Sequence, residues 1–307
     1  MREDRLEEVY TKGILLEIDF TNKKILRRTE IARDDMDYTV DGYATNFTVP
    51  SFEEDTLLVP SHATVYKVNL DTFEISNTFT HPLFNDLHQI VSTETGYIAV
   101  STGLDRIIEV DQDLDFVASY RTAEDLTPLD KCTDYRLQNT KPHEVHPNFI
   151  LWHDGRPWVT RAKQHDVAPL DDLSAAIPLA DVMVHDGIAH GGLHYFTSVR
   201  GQIIEVNLDE RRVQKTIDLI HKRWHLLTGW CRGLMVTDDY YYVGYSVFRR
   251  TKQVENLQWI KAKLTGANPP LPTRIEKIDR RTNEVVDQFT FSPDELNAVF
   301  WIHPVPA

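Results

Sequence analysis

A short run of alternating apolar residues ending in Asp or Asn, then a few turn formers, then a second β-rich run, recurs along this chain. The copies are Leu16-Glu17-Ile18-Asp19, Tyr66-Lys67-Val68-Asn69, Ile108-Glu109-Val110-Asp111, Ile204-Glu205-Val206-Asn207 and Glu276-Lys277-Ile278-Asp279. Their second runs are Lys24-Ile25-Leu26, Phe73-Glu74-Ile75, Asp115-Phe116-Val117, Arg211-Arg212-Val213 and Glu284-Val285-Val286. Period-2 alternation on both sides of an Asp/Asn turn is a hairpin signature. The anchors at 19, 69, 111, 207 and 279 are separated by 50, 42, 96 and 72 residues. The doubled third gap predicts a degenerate copy near residue 163, and the long last gap predicts a helical insertion over 249–272, giving six units.

Most anchors are preceded by another pair of strand candidates. The second of each pair is clear: Thr56–Val59, Tyr97–Val100, Trp158–Thr160, Tyr195–Thr197 and Tyr241–Gly244. Four antiparallel strands in about 40–50 residues make a propeller blade. The fold class expected is therefore all-β, a six-bladed β-propeller forming a single domain over residues 1–307. Five blades run from about residue 41 to 292. The sixth is expected from the two ends, Val9-Tyr10-Thr11 with its hairpin and a lone strand Leu296–Phe300, pairing to close the ring.

Composition narrows the function classes. Hydrophobic residues make up 41% of the chain, enough for a large core. The longest uncharged apolar stretches, such as Phe149–Trp152, fall far below the ~18 residues a membrane helix needs. The charged opening Met1–Arg5 leads into no secretory pattern, so a cytoplasmic address is expected. A formal charge of -14 repels a phosphate backbone, so no nucleic-acid partner is expected. Cys132 and Cys231 form neither a CxxC pair nor a disulfide framework.

On this strand-and-turn repeat the chain resembles the six-bladed β-propellers, among them the strictosidine-synthase-like, lactonase-like and NHL-type families. It has no WD dipeptide of the WD40 type. The resemblance implies the fold over nearly the whole chain. Likeness to metal-using lactonases and streptogramin lyases implies hydrolysis or elimination, while sulfotransferase-type propellers imply a histidine acid/base or nucleophile. No functional string of these families is matched residue by residue.

In a propeller the first strand of each blade lines the central channel, and sites gather at its mouth. Stepping back nine to twelve residues from each second strand gives Asn46, His88, His146, His185 with Asp186, Arg232 and, in the closing strand, Asn297. Imidazoles from three blades would hold a divalent metal ion through His88, His146 and His185. Arg232 would orient an anionic substrate, and Asp186 would support a ligand imidazole or act as a base. Asn46, Asn148 and Asn297 would add neutral contacts. His146, Asp186 and Arg232 are the expected catalytic residues, and a small molecule at the channel mouth is the expected partner. The metal-free alternative uses His146 as general acid/base or nucleophile.

Other strings are weaker. His143-Glu144-Val145-His146 is one residue short of HExxH, so its histidines miss the i, i+4 spacing of a zinc helix. Asp111–Asp115 opens like a calcium loop but continues with Phe116 where Gly is needed. Cys231 beside Arg232 is either an activated thiol or a buried apolar filler. His190 and His194 and the tryptophans Trp152, Trp158, Trp224 and Trp301 are expected to be structural. The polar segment 122–143 reads as a long loop, and Arg249–Lys263 as an amphipathic helix with a local charge of +4. The rival function is a noncatalytic propeller that binds a protein or peptide through those two segments.

Overall fold

A computed structural model describes residues 10–220, 229–247 and 271–305. The described residues are all-β, with five four-stranded antiparallel sheets and one two-stranded hairpin. The hairpin is β1 (Lys12–Asp19) with β2 (Lys24–Ala32). The first sheet is β3 (Ser51–Glu53), β4 (Thr56–Pro60), β5 (Thr64–Asn69) and β6 (Ile75–Thr80). Then come β7 (Leu87–Thr93), β8 (Gly96–Ser101), β9 (Arg106–Asp111) and β10 (Phe116–Arg121), followed by β11 (Pro147–His153), β12 (Arg156–Arg161), β13 (Asp166–Pro169) and β14 (Ile177–Pro178). The last two are β15 (Val184–His190), β16 (Leu193–Ser198), β17 (Gln202–Asn207) and β18 (Arg212–Asp218), and β19 (Cys231–Val236), β20 (Tyr240–Tyr245), β21 (Arg274–Asp279) and β22 (Val285–Thr290). In every sheet the strands pair in sequence order, which is the meander of a propeller blade.

The chain divides into two compact units, one from Val9 to Pro178 and the other from Leu179 onward. Each has its core between successive sheets. In the first unit Leu58 and Val65 pack with Ile90, Tyr97, Ala99 and Ile108 of the next blade. In the second, Tyr195, Ile203 and Ile217 pack with Leu234, Tyr241 and Val243. Cys231 lies in that core, fully buried, so it is an apolar filler. Burying one such Leu or Ile side chain contributes about 1.5–3 kcal/mol, and the alternation along each strand is what directs it inward.

The anchors of the repeat have a physical role. Asn69 Oδ1 accepts the N–H groups of Asp71 and Thr72 at 3.0 and 2.9 Å, and Asp279 Oδ1 those of Arg281 and Thr282 at 2.9 and 2.8 Å. Asp111 Oδ1 accepts from Asp113 and Asp115, so this stretch is a blade turn and its side chain is occupied by backbone. Asn207 and Asp19 cap their turns in the same way. Three or four residues on, the chain takes a left-handed residue: Lys23, Phe73, Leu114, Arg211 and Asn283. None of these is the Gly or Asn usually needed except Asn283, so the Asx bonds hold a turn that the φ values alone disfavour.

Three expectations change. The degenerate copy lies after β13, where Pro169 ends the strand and a 3₁₀ turn over Leu173–Ala175 replaces the Asx turn, rather than near residue 163. Leu296–Phe300 is not a strand: Val247 N–H bonds Asn297 O, but the N–H of Val299 goes to the Ser246 hydroxyl and no ladder propagates. The first hairpin remains two-stranded, with Thr11 bridging to Thr45. The expected helix at 249–263 lies outside the described residues. No helix among the described residues is long and apolar enough to cross a membrane.

Candidate functional site

The first strands of four blades open with a bulge. Leu87 faces Ser101 and Gln89 faces Val100, so His88 is the extra residue; in β11 the extra residue is Asn148, and in β19 it is Gly233. In β15 His185 faces Thr197 and Ile188 faces Tyr195, which puts Asp186 and Gly187 against Phe196. His88, Asn148, Asp186 and Gly233 are therefore equivalent, whereas His185 sits one place earlier and His146 precedes its strand altogether. The three histidines read as repeats of one position occupy three different ones. A single inserted residue turns each following side chain over, and counting back along a strand cannot register it.

In the first unit two of the three, His88 and His146, meet a third histidine. His146 Nδ1 lies 3.1 Å from His143 Nδ1, and the His88 ring stands edge-on to His146 with centroids 4.8 Å apart. Behind them His143 Nε2 is 3.3 Å from the Tyr43 hydroxyl and 3.8 Å from Asp86 Oδ2. Burial pushes the His143 imidazolium down; Asp86 and Asp105 oppose this, and the positive charges of Lys141 and Lys163 reinforce it. His146 is left-handed at φ 58° and Asp86 at φ 47°. Such backbone is tolerated only where the surroundings fix it, and it concentrates at functional sites.

The polar shell around the pair is closed. Tyr43 OH accepts the Thr140 N–H at 3.2 Å and lies 3.0 Å from Thr140 Oγ1. Thr140 Oγ1 in turn donates to Asn85 Oδ1 at 3.1 Å, and Asn85 Nδ2 donates to the carbonyls of Tyr135 and Gln138. His62 holds the same loop, with Nε2 on Arg136 O at 3.0 Å and Nδ1 accepting the Asp86 N–H at 3.3 Å. The long segment 122–143 is thus strapped down by buried Tyr43, His62 and Asn85.

The two bonds of His62 require the neutral ring with its proton on Nε2, and burial depresses its protonation further. The folded state resists a proton that the unfolded chain takes up near pH 6.5. Stability from this group is complete above about pH 6.5 and is lost as the pH falls below it. The melting temperature is expected to decline from pH 7 to pH 5.5, with a shallower slope for His62→Gln; equal slopes would remove His62 as a cause.

The second unit holds its own set. Arg232 Nη2 is 3.2 Å from His185 Nε2, and its guanidinium lies over Trp230 and Phe300 at 5.5 and 5.2 Å. Asp186, left-handed at φ 57°, accepts the Gly233 N–H at 2.8 Å and lies 3.3 Å from Thr197 Oγ1. Burial raises its carboxyl above the usual range, against the pull of the Gly233 N–H, Arg232 and Thr197. Of the asparagines, Asn148 is buried on its bulge, Asn46 lies in the loop before β3 bonded to its neighbour Phe47 O, and Asn297 is exposed.

Sequence reasoning did not select His143, His62, Tyr43, Asp86 or Asp105. His143 was visible in His-x-x-His, but helical spacing was the wrong test: the left-handed turn at His146, not a helix, brings the rings together. His190 Nε2 lies 3.0 Å from Asp238 Oδ1. Among the described residues, His88, His143 and His146 do not bring three ligand atoms within 4.8 Å of one another.

The chain matches no family profile and no curated protein sequence. In three dimensions it is similar to the WD40 domain of Pan2 from Neurospora crassa, with a TM-score of 0.46 and 9% identity, over 81% of this chain and 67% of that one. The blade assignment rests on the strand pairing above.

Proposed function

We propose that this protein is a cytoplasmic enzyme that hydrolyses, or eliminates from, a small anionic molecule, with His146 as the acid/base and His143 as its partner. The observation that carries this reading is the 3.1 Å approach of the two Nδ1 atoms, with Asp86 and Tyr43 behind. Two neutral imidazoles joined at Nδ1 must share one proton there. When His146 donates it, its Nε2 is the basic nitrogen; when His146 accepts, Nε2 carries a proton and is an acid. At the far end the Tyr43 hydroxyl accepts from or donates to His143 Nε2, because the Thr140 hydroxyl is committed to Asn85. One pair therefore supplies both the base and the acid that hydrolysis or elimination needs in turn. Asp86 and Asp105 stabilise the positive charge whenever the pair gains a proton, and Lys141 and Lys163 set two cationic groups beside them that an anionic substrate would meet.

A divalent metal fits this set only in part. Nitrogens 3.1 Å apart match two neighbouring ligands of one ion, but among the described residues no third histidine closes on them, so no step is routed through it. Arg232, with His185 and Asp186, is proposed as an anion contact of the unit that carries it. The six-bladed count, with the terminal hairpin standing in the sixth blade, belongs to the same reading.

The test is a panel of activated esters, lactones and phosphate esters, p-nitrophenyl acetate and p-nitrophenyl phosphate among them, assayed with chelator and with added Zn²⁺ or Mn²⁺. His146→Ala is expected to lower the rate by about 10²–10⁴-fold, the usual range for a positioned acid/base. A wild-type protein inert under all conditions, or a variant as active as wild type, would leave the noncatalytic binding protein as the better reading.

A further inference from the structure

The turn between β8 and β9 grips the segment that presents His146. Thr102 Oγ1 donates to Pro147 O. The Asp105 carboxylate accepts three consecutive backbone N–H groups, from Glu144 at 2.6 Å, Val145 at 3.1 Å and His146 at 2.7 Å. Both side chains are buried. Asp105 is itself immobilised, its N–H on Thr102 O at 3.1 Å and its carbonyl accepting the Thr122 hydroxyl at 2.6 Å. On the other side His146 O accepts the Ala162 N–H at 3.2 Å.

Successive N–H groups converging on one point form a concavity that favours an anion, and here a side chain of the preceding blade fills it. The bonds are charge-assisted, roughly twice as strong as neutral ones. They oppose the steric cost of a left-handed residue other than glycine, here His146 at φ 58°. Without them the segment 144–146 is free to relax toward ordinary φ, which swings the His146 ring away from His143. The equivalent turn of the blade before holds its segment with a neutral side chain and fewer side-chain bonds, His62 Nδ1 taking the Asp86 N–H while its backbone carbonyl takes the Leu87 N–H.

We infer that Asp105 is the positioning residue of the His143–His146 pair, acting through the backbone of 144–146 and touching no substrate; its effect on catalysis rests on the reading above. Asparagine at this position keeps the shape but removes the charge, and with its oxygen toward the Val145 and His146 N–H groups it sets an amide N–H₂ against the Glu144 N–H.

The experiment uses the full chain with ¹⁵N-labelled histidine, comparing wild type with Asp105→Asn and the milder Thr102→Val. Ring-nitrogen spectra of wild type are expected to show His143 and His146 in one fixed, complementary pair of tautomers. In Asp105→Asn both rings should move to averaged tautomers and p-nitrophenyl acetate hydrolysis should fall by about 10–100-fold, the scale of losing an orienting partner. Thr102→Val should fall between the two. Unchanged ring spectra in a folded Asp105→Asn protein overturn the inference, and unchanged spectra in Thr102→Val do so if Asp105→Asn fails to fold. If the rings move but wild type hydrolyses nothing, the enzymatic reading fails while the positioning role stands. If His146→Ala abolishes hydrolysis and Asp105→Asn leaves it and the spectra intact, only the positioning role fails.

Discussion

Glu276→Ala is expected to lower the free energy of unfolding by about 3–5 kcal/mol, a large part of what a domain of ordinary stability has. Glu276 and Arg274 stand two residues apart on β21 and so share one face of the sheet. Their side chains are 1% and 2% exposed, respectively, with Arg274 Nε donating to Glu276 Oε1 at 2.7 Å. The guanidinium also lies over the Tyr245 ring at 4.4 Å and donates to Pro272 O at 3.2 Å. Removing the carboxylate takes the counter-charge from a buried guanidinium, whose described neighbours also include a ring face and a carbonyl. The loss should appear as a lower denaturant midpoint with an unchanged slope. The double variant Arg274→Met/Glu276→Leu is expected to recover most of it, because two apolar side chains of similar volume carry no desolvation cost. A loss below about 1 kcal/mol in the single variant would put this pair with exposed ones such as Arg212–Glu210, which contribute little.

The blades were legible because what makes them is local. An Asp or Asn at the end of a third strand closes its own turn, so Asn69, Asp111, Asn207 and Asp279 mark hairpins whatever lies around them. Where the turn is built differently, as after Pro169, counting from neighbouring anchors misplaced it. The site was legible only in its residue types. His88, His146 and His185 were picked out on a common register that the bulges break, and the groups that assemble around His146 come from distant segments: Tyr43 before the first blade, Asp86 and Asp105 in the second, His143 at the end of the long loop. No periodicity links them. Their common sign is conformational, since Asp86, Asp105 and His146 all have positive φ without being glycine, and that becomes visible only once the chain is folded.

Gly103→Ala, one residue inside the same turn, should cost about 2–4 kcal/mol and loosen the loop that carries His143. The backbone of Gly103 is not left-handed, so alanine meets no torsional objection; the obstacle is space. A Cβ there would lie 1.8 Å from Asn85 Oδ1 and 2.9 Å from Thr140 Oγ1. Asn85 is fully buried and cannot step back, because its own backbone is bonded on both sides, N–H to Ser101 Oγ at 3.1 Å and carbonyl to the Gly103 N–H at 2.9 Å. Its side chain must rotate and give up its bonds to Tyr135 O, Gln138 O and Thr140. Three buried hydrogen bonds at about 0.5–1.5 kcal/mol each set the expected loss. Thr140 then no longer fixes Tyr43, and the hydroxyl behind His143 loses its place, so ester hydrolysis should fall together with stability. The collision predicts a specific coupling: Asn85→Ala removes the obstructing amide, and the double variant should be less destabilised than the sum of the two single variants. Strict additivity, or a Gly103→Ala protein as stable as wild type, would mean that the loop is not held through Asn85.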